Sequence, residues 1–253
     1  MKLLAFDTST DVMSIAVQHG EQIFTHTGVG GALTSSTLIP AIAALMAQAG
    51  LQFAQLDAIA FGRGPGSFTG LRTACSVAQG LAFAANVQVL PVDTLQAVAQ
   101  QARSMLTADQ TPRAVCAALD ARMGELYYGY YNFDSCLSSK YLDYLPKSPL
   151  NMVLPDDLSN GVGSFVLAGN VRPAYDAQLP AALLAAPYLA CLPSATAMLQ
   201  LAPQLIAAGH LVDAQDALPL YMRDKVAQTT AEREGAVAVI ALYVALPGAT
   251  LSP

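Results

Sequence analysis

The start of the chain alternates apolar runs with short polar turns. This spacing predicts strands at residues 2–6, 12–17 and 22–27, with a hairpin turn at His19–Gly20 between the last two. The polar turn Asp7–Thr10 follows the first strand directly. The chain therefore opens with a three-stranded unit whose first turn is acidic.

Helical periodicity begins after this unit. Thr34–Gln48 predicts a helix whose apolar stripe is wider than a lone surface helix needs. A second helix is predicted over Thr69–Ala85, where small side chains let a neighbouring helix approach closely. Two interpretations of these helices stay open, namely burial inside the fold and a face left for a partner. Val87–Val92 then predicts a strand, and Thr94–Met105 predicts a third helix.

The second half of the chain repeats this alternation. Ala114–Leu119 and Leu126–Phe133 predict two strands joined by the turn Asp120–Glu125, and residues 134–160 are rich in loop-forming residues and proline. The tyrosines of the second strand suit either base stacking or strand propensity, and we favour strand propensity. Further elements are predicted as a short strand within 161–169, a helix over Ser194–Ala208 and an extended segment over Leu218–Arg223.

The polar stretch 107–112 marks a boundary in this pattern. We predict an N-terminal lobe over residues 1–108, a smaller α/β lobe over 109–216, and a return segment with an apolar tail over 217–253. Within the tail, Ala236–Leu246 is almost wholly apolar. It is far shorter than the roughly 20 residues that span a bilayer, so we expect no membrane span there.

The most informative segment is the glycine-rich loop Gly62–Arg72, which lies between an apolar run and the second predicted helix. Glycine lets a backbone approach another surface closely, and a loop before a helix presents free N–H groups. A P-loop would need a lysine after its last glycine, and a dinucleotide-binding loop needs a different glycine spacing. On these residues alone we favour a tight strand-to-helix connection, with Ser67 or Thr69 capping the helix.

Composition bears on what the chain binds. Of its 253 residues, 54% are hydrophobic and 12% charged, and the formal net charge is −6. Proteins that bind nucleic acid directly carry a basic face, because cationic side chains displace the phosphate counterions. The 12 lysines and arginines are spread thinly here, so we expect contact with nucleic acid only through a partner.

Candidate catalytic groups are few. The histidines His19, His26 and His210 have no carboxylate or second histidine at metal-ligand spacing. A hydrolytic serine would need a neighbouring base oriented by an acid, and the sequence supplies no such set. The cysteines form no Cys-x-x-Cys pair, which favours buried thiols at Cys75 and Cys116. We predict no catalytic residue, no metal and no cofactor.

Four segments of the chain together resemble one family, the TsaB (YeaZ) family. Gly62–Arg72 is similar to its glycine-rich motif, Leu3–Thr10 to its opening strand and turn, and Asp120–Tyr127 to its mid-chain hairpin. Leu220–Arg223, followed by Val226–Ala227, looks like its C-terminal return segment. The resemblance implies an α/β fold of two actin-like or sugar-kinase-like lobes, with mixed sheets flanked by helices.

The resemblance also implies a function. Members of the family are non-catalytic subunits of the bacterial machinery that makes N6-threonylcarbamoyladenosine beside the anticodon of tRNAs reading codons that begin with A. Partners implied are a TsaD-like catalytic subunit and a TsaE-like ATPase in the same complex, with tRNA contacted only indirectly. We expect a weak homodimer through the apolar helices when the partner is absent. We also expect a cytoplasmic protein, because the apolar run before Asp7 is too short for a signal peptide.

In the family, the two helices Thr34–Gln48 and Thr69–Ala85 build the interface with the partner. The partner-binding residues expected here are Leu38, Ile42, Leu45, Met46, Thr73, Ala74, Val77, Ala78 and Leu81. The residues expected to form the glycine-rich loop site are Gly62, Arg63, Gly64, Pro65, Gly66, Ser67, Thr69 and Gly70. The chain departs from its family near Thr34, where many members keep one histidine.

An alternative function stays open, namely an actin-like ATPase or a metallopeptidase-like enzyme acting alone. In active members of the wider superfamily the acidic turn helps hold metal and phosphate, and Asp7 occupies that turn here. Together with the glycine-rich loop it would form a nucleotide site. Neither a phosphate-binding lysine nor further acids can be named for such a site, so we favour the subunit function.

Overall fold

The computed structural model describes residues 1–106, 114–122, 124–132, 165–175, 178–179 and 181–222, together with the backbone of 139–145. The predicted tail, the boundary stretch 107–112 and much of the loop-rich segment 134–160 lie outside the described residues. So do Arg223 and the Val226–Ala227 part of the return motif.

The first lobe is built on a five-stranded sheet in the order β3-β2-β1-β4-β5. Its strands are β1 (Lys2–Asp7), β2 (Val12–His19), β3 (Gln22–Val29), β4 (Ala58–Gly64) and β5 (Val89–Asp93). The first three strands pair antiparallel, and β4 and β5 add in parallel. β2 and β3 are longer than predicted, because their pairing continues up to the turn between His19 and Gln22.

The second lobe repeats the topology of the first. Its sheet has the order β8-β7-β6-β9-β10, again with two antiparallel pairs followed by two parallel ones. The strands are β6 (Ala114–Arg122), β7 (Glu125–Asn132), β8 (Ser139–Leu145), β9 (Phe165–Gly169) and β10 (Tyr188–Ala190). β8 lies in the segment predicted as loop-rich. That prediction was wrong because nearby prolines dominated it, whereas pairing with the distant strand β7 holds the segment as a strand.

In the described part of the chain, six α-helices connect or cover the strands. They are α1 (Thr34–Gln48), α2 (Phe68–Ala85), α3 (Thr94–Met105), α4 (Arg172–Tyr175), α5 (Ala181–Ala185) and α6 (Ala195–Ala207). The predictions of α1, α2, α3 and α6 are confirmed to within one residue. α4 and α5 were not predicted, because four or five residues are too few to show a helical period.

The helices α3 and α6 form a layer that both sheets share. Leu95 and Val98 of α3 and Met198 of α6 are fully buried. They belong to one apolar cluster with Leu3 of the first sheet and Val115 of the second. α1 and α2 cover the other face of the first sheet, and α4 and α5 cover the other face of the second sheet. Each sheet is therefore covered by helices on both faces, as a mixed sheet with parallel pairs requires.

Polar contacts also join the two sheets. The backbone N–H of Ala195 donates to Ser14 Oγ over 2.9 Å. The Tyr131 hydroxyl of β7 lies 3.4 Å from Asp93 Oδ1 at the end of β5. Both sheets consequently lie within one compact unit, Met1–Met222.

Met198 tests the shared helical layer. The substitution Met198→Ala should lower the free energy of unfolding by about 2–5 kcal/mol, because truncation leaves a cavity in a close-packed interior. Urea denaturation followed by circular dichroism measures this change. Gln204→Ala on the exposed side of the same helix is the control, with an expected change within about 0.5 kcal/mol. Equal effects of the two substitutions would contradict the shared layer.

Candidate functional site

The glycine-rich loop turns the chain from β4 into α2 and directs its N–H groups at the protein itself. Ser67 occupies the N-cap position of α2, as predicted, but its side chain makes no capping hydrogen bond. Its backbone N–H instead donates to the Ser9 carbonyl oxygen over 2.7 Å. The Gly64 N–H donates to Thr94 Oγ1 over 3.1 Å. These two N–H groups are therefore not available to cradle a phosphate.

Three glycines spaced four residues apart bring the loop into contact with the polar turn after β1. A Cβ on Gly62 or Gly70 would overlap that turn, and a Cβ on Gly66 would lie 2.6 Å from the nearest side-chain atom. No L-amino acid with a side chain fits at such distances without movement of the backbone. The contacts of Gly62, Gly66 and Gly70 are with the Asp7 carboxylate, Ser9 and the Thr8 carbonyl group, respectively.

Asp7 is the acid that the nucleotide-binding alternative requires, and it is completely buried. Its Oδ1 accepts hydrogen bonds from the Ser9 N–H over 3.0 Å and from the Ser9 hydroxyl over 2.7 Å. Its Oδ2 has no hydrogen-bond partner. Burial raises the pKa of this carboxyl group to about 6, although the bonds from Ser9 act in the opposite direction. Because Gly62 covers the carboxylate, it cannot reach a metal ion or phosphate unless the loop opens.

The opposite side of the loop and the adjoining part of α2 hold the return segment. The Leu220 N–H donates to the Arg63 carbonyl oxygen over 2.6 Å. The carbonyl oxygen of Ala217 accepts from Cys75 Sγ over 3.1 Å and from Gln79 Nε2 over 2.9 Å. The loop therefore lies between the turn after β1 and residues 217–220, and contacts on both sides keep it closed.

Neither arginine near the loop replaces a phosphate-binding lysine. Arg72 Nε donates to the Tyr221 hydroxyl over 3.0 Å, and its guanidinium lies 3.8 Å from the centre of the Phe68 ring. Arg63 interacts electrostatically with Asp93, whose pKa is raised by burial and partly lowered by this arginine. Arg72 is thus held by Tyr221 and Phe68, whereas Arg63 Nε is buried without a hydrogen-bond partner.

The residues considered for metal binding stay apart. His19 Nδ1 lies 2.9 Å from the Ala49 carbonyl oxygen, His26 is in β3, and His210 follows α6. Within the part of the chain that the structure describes, no three His, Cys, Asp or Glu side chains come together as a metal site would need. The prediction of buried thiols is confirmed for Cys75 and Cys116, and burial raises the pKa of Cys116 to about 12.

The tyrosines of β7 are buried, which confirms strand propensity over base stacking. None of the four is more than 7% exposed. Their rings pack inside the two cores on either side of the second sheet, where no base can reach them. The four residues are Tyr127, Tyr128, Tyr130 and Tyr131.

The side chains predicted to bind a partner divide between the inward and the outward sides of α1 and α2. Six of the nine are at most 3% exposed, because they form the core between these helices and the first sheet. Thr73, Val77 and Leu81 are only half-buried and remain accessible. The six buried side chains are Leu38, Ile42, Leu45, Met46, Ala74 and Ala78.

The outward sides of α1 and α2 form a different apolar surface. Phe83 is 85% exposed and Ile39 is 51% exposed. α1 contains no charged residue, and the only charged residue of α2 is Arg72. Phe83 was not among the predicted residues, although its spacing from Ser76 and Gly80 along one side of the helix could have revealed it. We call the outward sides of these two helices the helix face.

One segment of this surface also meets the length criterion for a membrane helix. Gly31–Gln48 is long and apolar enough to cross a bilayer by length and composition only. In this structure Leu38 and Ile42 of that segment pack against the first sheet as core residues. The side chains on the inward side of α1, which pack in the core, thus account for part of its apolar composition.

A second candidate site is a cleft of about 290 Å³ between the lobes. Thr10 and Asp11 line it on one side, and Asn170 and Cys191 line it on the other. Asp11 forms an ion pair of 2.6 Å with Arg122, and burial raises the pKa of the Cys191 thiol to about 11. The acid of this cleft is therefore held by an ion pair, and its thiol is protonated at neutral pH.

The fold and these sites together define a class of protein. Two sheets of the same topology, each covered by helices on both faces, place the chain among the two-lobed α/β proteins of the actin-like and sugar-kinase-like class. The fold class predicted from the sequence is confirmed.

Comparison with known proteins identifies the family. A family model described as "TsaD: tRNA N6-adenosine threonylcarbamoyltransferase" matches residues 25–143. A Haemophilus influenzae protein named "tRNA threonylcarbamoyladenosine biosynthesis protein TsaB" is 34% identical over 89% of this chain and 95% of its own length. The Escherichia coli protein of the same name is 32% identical over 90% and 96%, respectively. The structure of YeaZ from Pseudomonas aeruginosa superposes with a TM-score of 0.74 at 37% identity, covering 87% of this chain and 99% of that one. The chain belongs to the TsaB (YeaZ) family.

Two glycines of α2 test the close contact between the loop and the turn. Gly70→Ala should lower the free energy of unfolding by at least about 2 kcal/mol, because the new Cβ overlaps the Thr8 carbonyl group. Gly80→Ala is the matched control, since a Cβ there meets open space and should stabilise the helix by about 0.5–1 kcal/mol. Urea denaturation of both variants measures the difference. A neutral Gly70→Ala variant would show that the loop does not press against the turn.

The buried Asp7 should make stability depend on pH. Its folded-state pKa of about 6 exceeds the ordinary value of 3.8, so the folded state binds the proton more tightly than the unfolded state. The contribution of Asp7 to stability is therefore greatest below pH 3.8 and is lost as the pH rises to about 6. The loss amounts to about 3 kcal/mol.

The substitution Asp7→Asn removes this titration. We compare the free energy of unfolding of the variant with that of the wild type. The variant should gain relative to the wild type from pH 4 to pH 6.5, and the difference should be constant above that pH. Urea denaturation at each pH measures both proteins. A difference that is constant across this range would mean that Asp7 is not buried as a titrating acid.

Proposed function

We propose that this chain is a non-catalytic scaffold subunit in the synthesis of N6-threonylcarbamoyladenosine on tRNA, at the adenosine beside the anticodon of tRNAs that read codons starting with A. In this role it binds a TsaD-like catalytic subunit through the helix face and supports that subunit without donating catalytic groups. A TsaE-like ATPase joins the same complex in the cytoplasm. Membership of the TsaB family supports this proposal, as do the names of its relatives.

The helix face is the observation that carries the proposal. Two helices that lie side by side on one sheet expose Phe83, Ile39 and a row of small residues with almost no charge. Large exposed apolar patches are rare on monomeric proteins. Where they occur, they mark sites of association with other molecules. In protein interfaces a few residues contribute most of the binding energy, and large aromatic side chains are common among them. Phe83, surrounded by small residues, is the side chain of this kind on the helix face.

Charge supports an indirect role toward tRNA. The formal net charge is −6, and Arg72 near the glycine-rich loop is engaged by the chain's own groups. Direct binding of RNA draws its affinity from cations that displace phosphate counterions. We therefore assign tRNA contact to the catalytic partner.

The alternative of an ATPase or metallopeptidase acting alone is disfavoured by the site geometry. The position that would hold metal and phosphate is filled by the chain's own loop, with Asp7 beneath Gly62. Activity of that kind would require the loop to leave the turn, which breaks its hydrogen bonds on both sides. We assign this chain no catalytic residue.

The substitution Phe83→Glu tests the proposal. Co-purification of the tagged chain with the TsaD-type subunit of the same organism should yield a complex, and Phe83→Glu should reduce its yield at least tenfold, because a charge would be buried at the interface. Transfer of the threonylcarbamoyl group to tRNA should fall in parallel.

Two controls accompany this experiment. Leu184→Glu alters another exposed leucine, in the second lobe, and should leave complex and activity unchanged. Circular dichroism should show that both variants are folded. A full-strength complex with Phe83→Glu would remove the helix face as the interface, and transfer activity that does not need this chain would reject the scaffold function.

A further inference from the structure

Arg122 ties together the two walls of the cleft between the lobes. Its Nη2 atom lies 2.6 Å from Asp11 Oδ2, and Asp11 lines the first-lobe wall of the cleft. Its Nη1 atom lies 3.3 Å from Asp120 Oδ2. The Asp120 N–H donates in turn to Asn170 Oδ1 over 2.9 Å, and Asn170 lines the second-lobe wall. One arginine therefore connects the two walls, through a carboxylate on either side.

The backbone of Arg122 has a conformation that glycine adopts more readily. Its φ is 64°, in the left-handed region, and the hairpin ladder shifts register between Asp120 and Arg122. A bulge redirects a side chain, and left-handed backbone at a residue with a Cβ persists only where the surroundings hold it. Glycine would fit this position at a lower cost. The arginine side chain therefore supplies something that the turn itself does not need.

Asp120 orders this arginine from the second-lobe side. Asp120 Oδ1 accepts a hydrogen bond from the Arg122 N–H over 2.7 Å and another from the Tyr175 hydroxyl over 2.6 Å. The Asp120 side chain is only 11% exposed, whereas those of Arg122 and Asp11 are 67% and 83% exposed. An isolated exposed ion pair contributes little, because ordering two side chains costs entropy, but a pair within a network contributes more. Since Asp120 already orders the arginine, the pair with Asp11 has only one further side chain to order.

The same cleft contains a half-buried thiol. Cys191 lines the cleft, and its thiol donates to the Val98 carbonyl oxygen of α3 over 3.9 Å. Burial raises the pKa of this thiol from its ordinary value of 9.0 to about 11. The thiolate is the reactive form, so a reaction of Cys191 needs both access for the reagent and contact with water. Widening of the cleft supplies both, and the reactivity of Cys191 therefore measures how often the cleft opens.

We propose that Arg122 is a strap that keeps the cleft between the lobes closed and shields Cys191. When the ion pair with Asp11 breaks, the two walls separate locally, while the apolar layer of α3 and α6 keeps the lobes together. The strap responds to ionic strength, because both side chains of the pair are exposed. Its residues lie outside the helix face, so this inference goes beyond the proposed scaffold function.

The substitution Arg122→Gly removes the strap and keeps the turn, because glycine adopts a positive φ freely. N-Ethylmaleimide, a small neutral reagent, should label Cys191 of this variant about three- to fivefold faster than Cys191 of the wild type, the upper range for an exposed ion pair. Asp11→Asn should raise the rate by a similar factor. Peptide mapping by mass spectrometry assigns each label to its cysteine. The buried thiols of Cys75 and Cys116 are internal controls whose labelling rates should not change.

A double variant distinguishes a direct pair from two independent effects. Arg122→Gly combined with Asp11→Asn should label Cys191 no faster than either single variant, because each removes the same interaction. Arg122→Lys keeps the charge without the planar fork that reaches both carboxylates, so its rate should lie between those of the wild type and Arg122→Gly. Raising NaCl from about 0.1 to 1 M shortens the Debye length from about 10 to 3 Å. This should speed labelling of the wild type and leave the rate of Arg122→Gly unchanged.

Three results would overturn the strap. They are unchanged labelling of Cys191 in both single variants, effects that multiply in the double variant, and an equal increase at Cys75 and Cys116, which indicates a loss of overall stability. Phe83→Glu on the helix face should leave the labelling of Cys191 unchanged. Failure to bind the TsaD-type subunit would therefore reject the scaffold function and leave the strap standing.

Discussion

Much of this structure depends on the close contact between the glycine-rich loop and the turn after β1. At Gly62, Gly66 and Gly70 the loop approaches Asp7, Ser9 and Thr8 so closely that a Cβ cannot be accommodated without movement. That contact sets the direction in which α2 leaves the sheet. The other side of the loop and the adjoining part of α2 receive the return segment. One close approach thereby fixes the position of a helix, a turn and residues 217–220.

The same contact explains why the acidic turn after β1 faces the interior of the protein. A turn that could present an acid to a ligand is here part of the interior, and Asp7 stays there with one oxygen unpaired and a raised pKa. Burial of such a group costs free energy that only the surrounding packing offsets. The surface on which the proposed scaffold function rests is the helix face around Phe83.

The sequence was a good guide where a local pattern and the tertiary structure agree. The helices α1 and α3 begin and end where the periodicity predicted, and the buried tyrosines of β7 followed their strand propensity. It was a poor guide for β8, which depends on a partner strand. Both sides of α1 are apolar, so its period shows a helix but not which side faces the sheet. Leu38 and Ile42 are covered by the sheet, which the period alone does not show.

The sequence by itself determined the class of fold, the family motifs and the positions where only glycine fits. These depend on short-range steric rules and on the order of elements, both of which are written along the chain. Only the tertiary structure decided that the acid beneath the loop is sealed and that Phe83 is outside. Exposure is a property of which elements pack together, because a side chain is covered by residues that are distant in sequence.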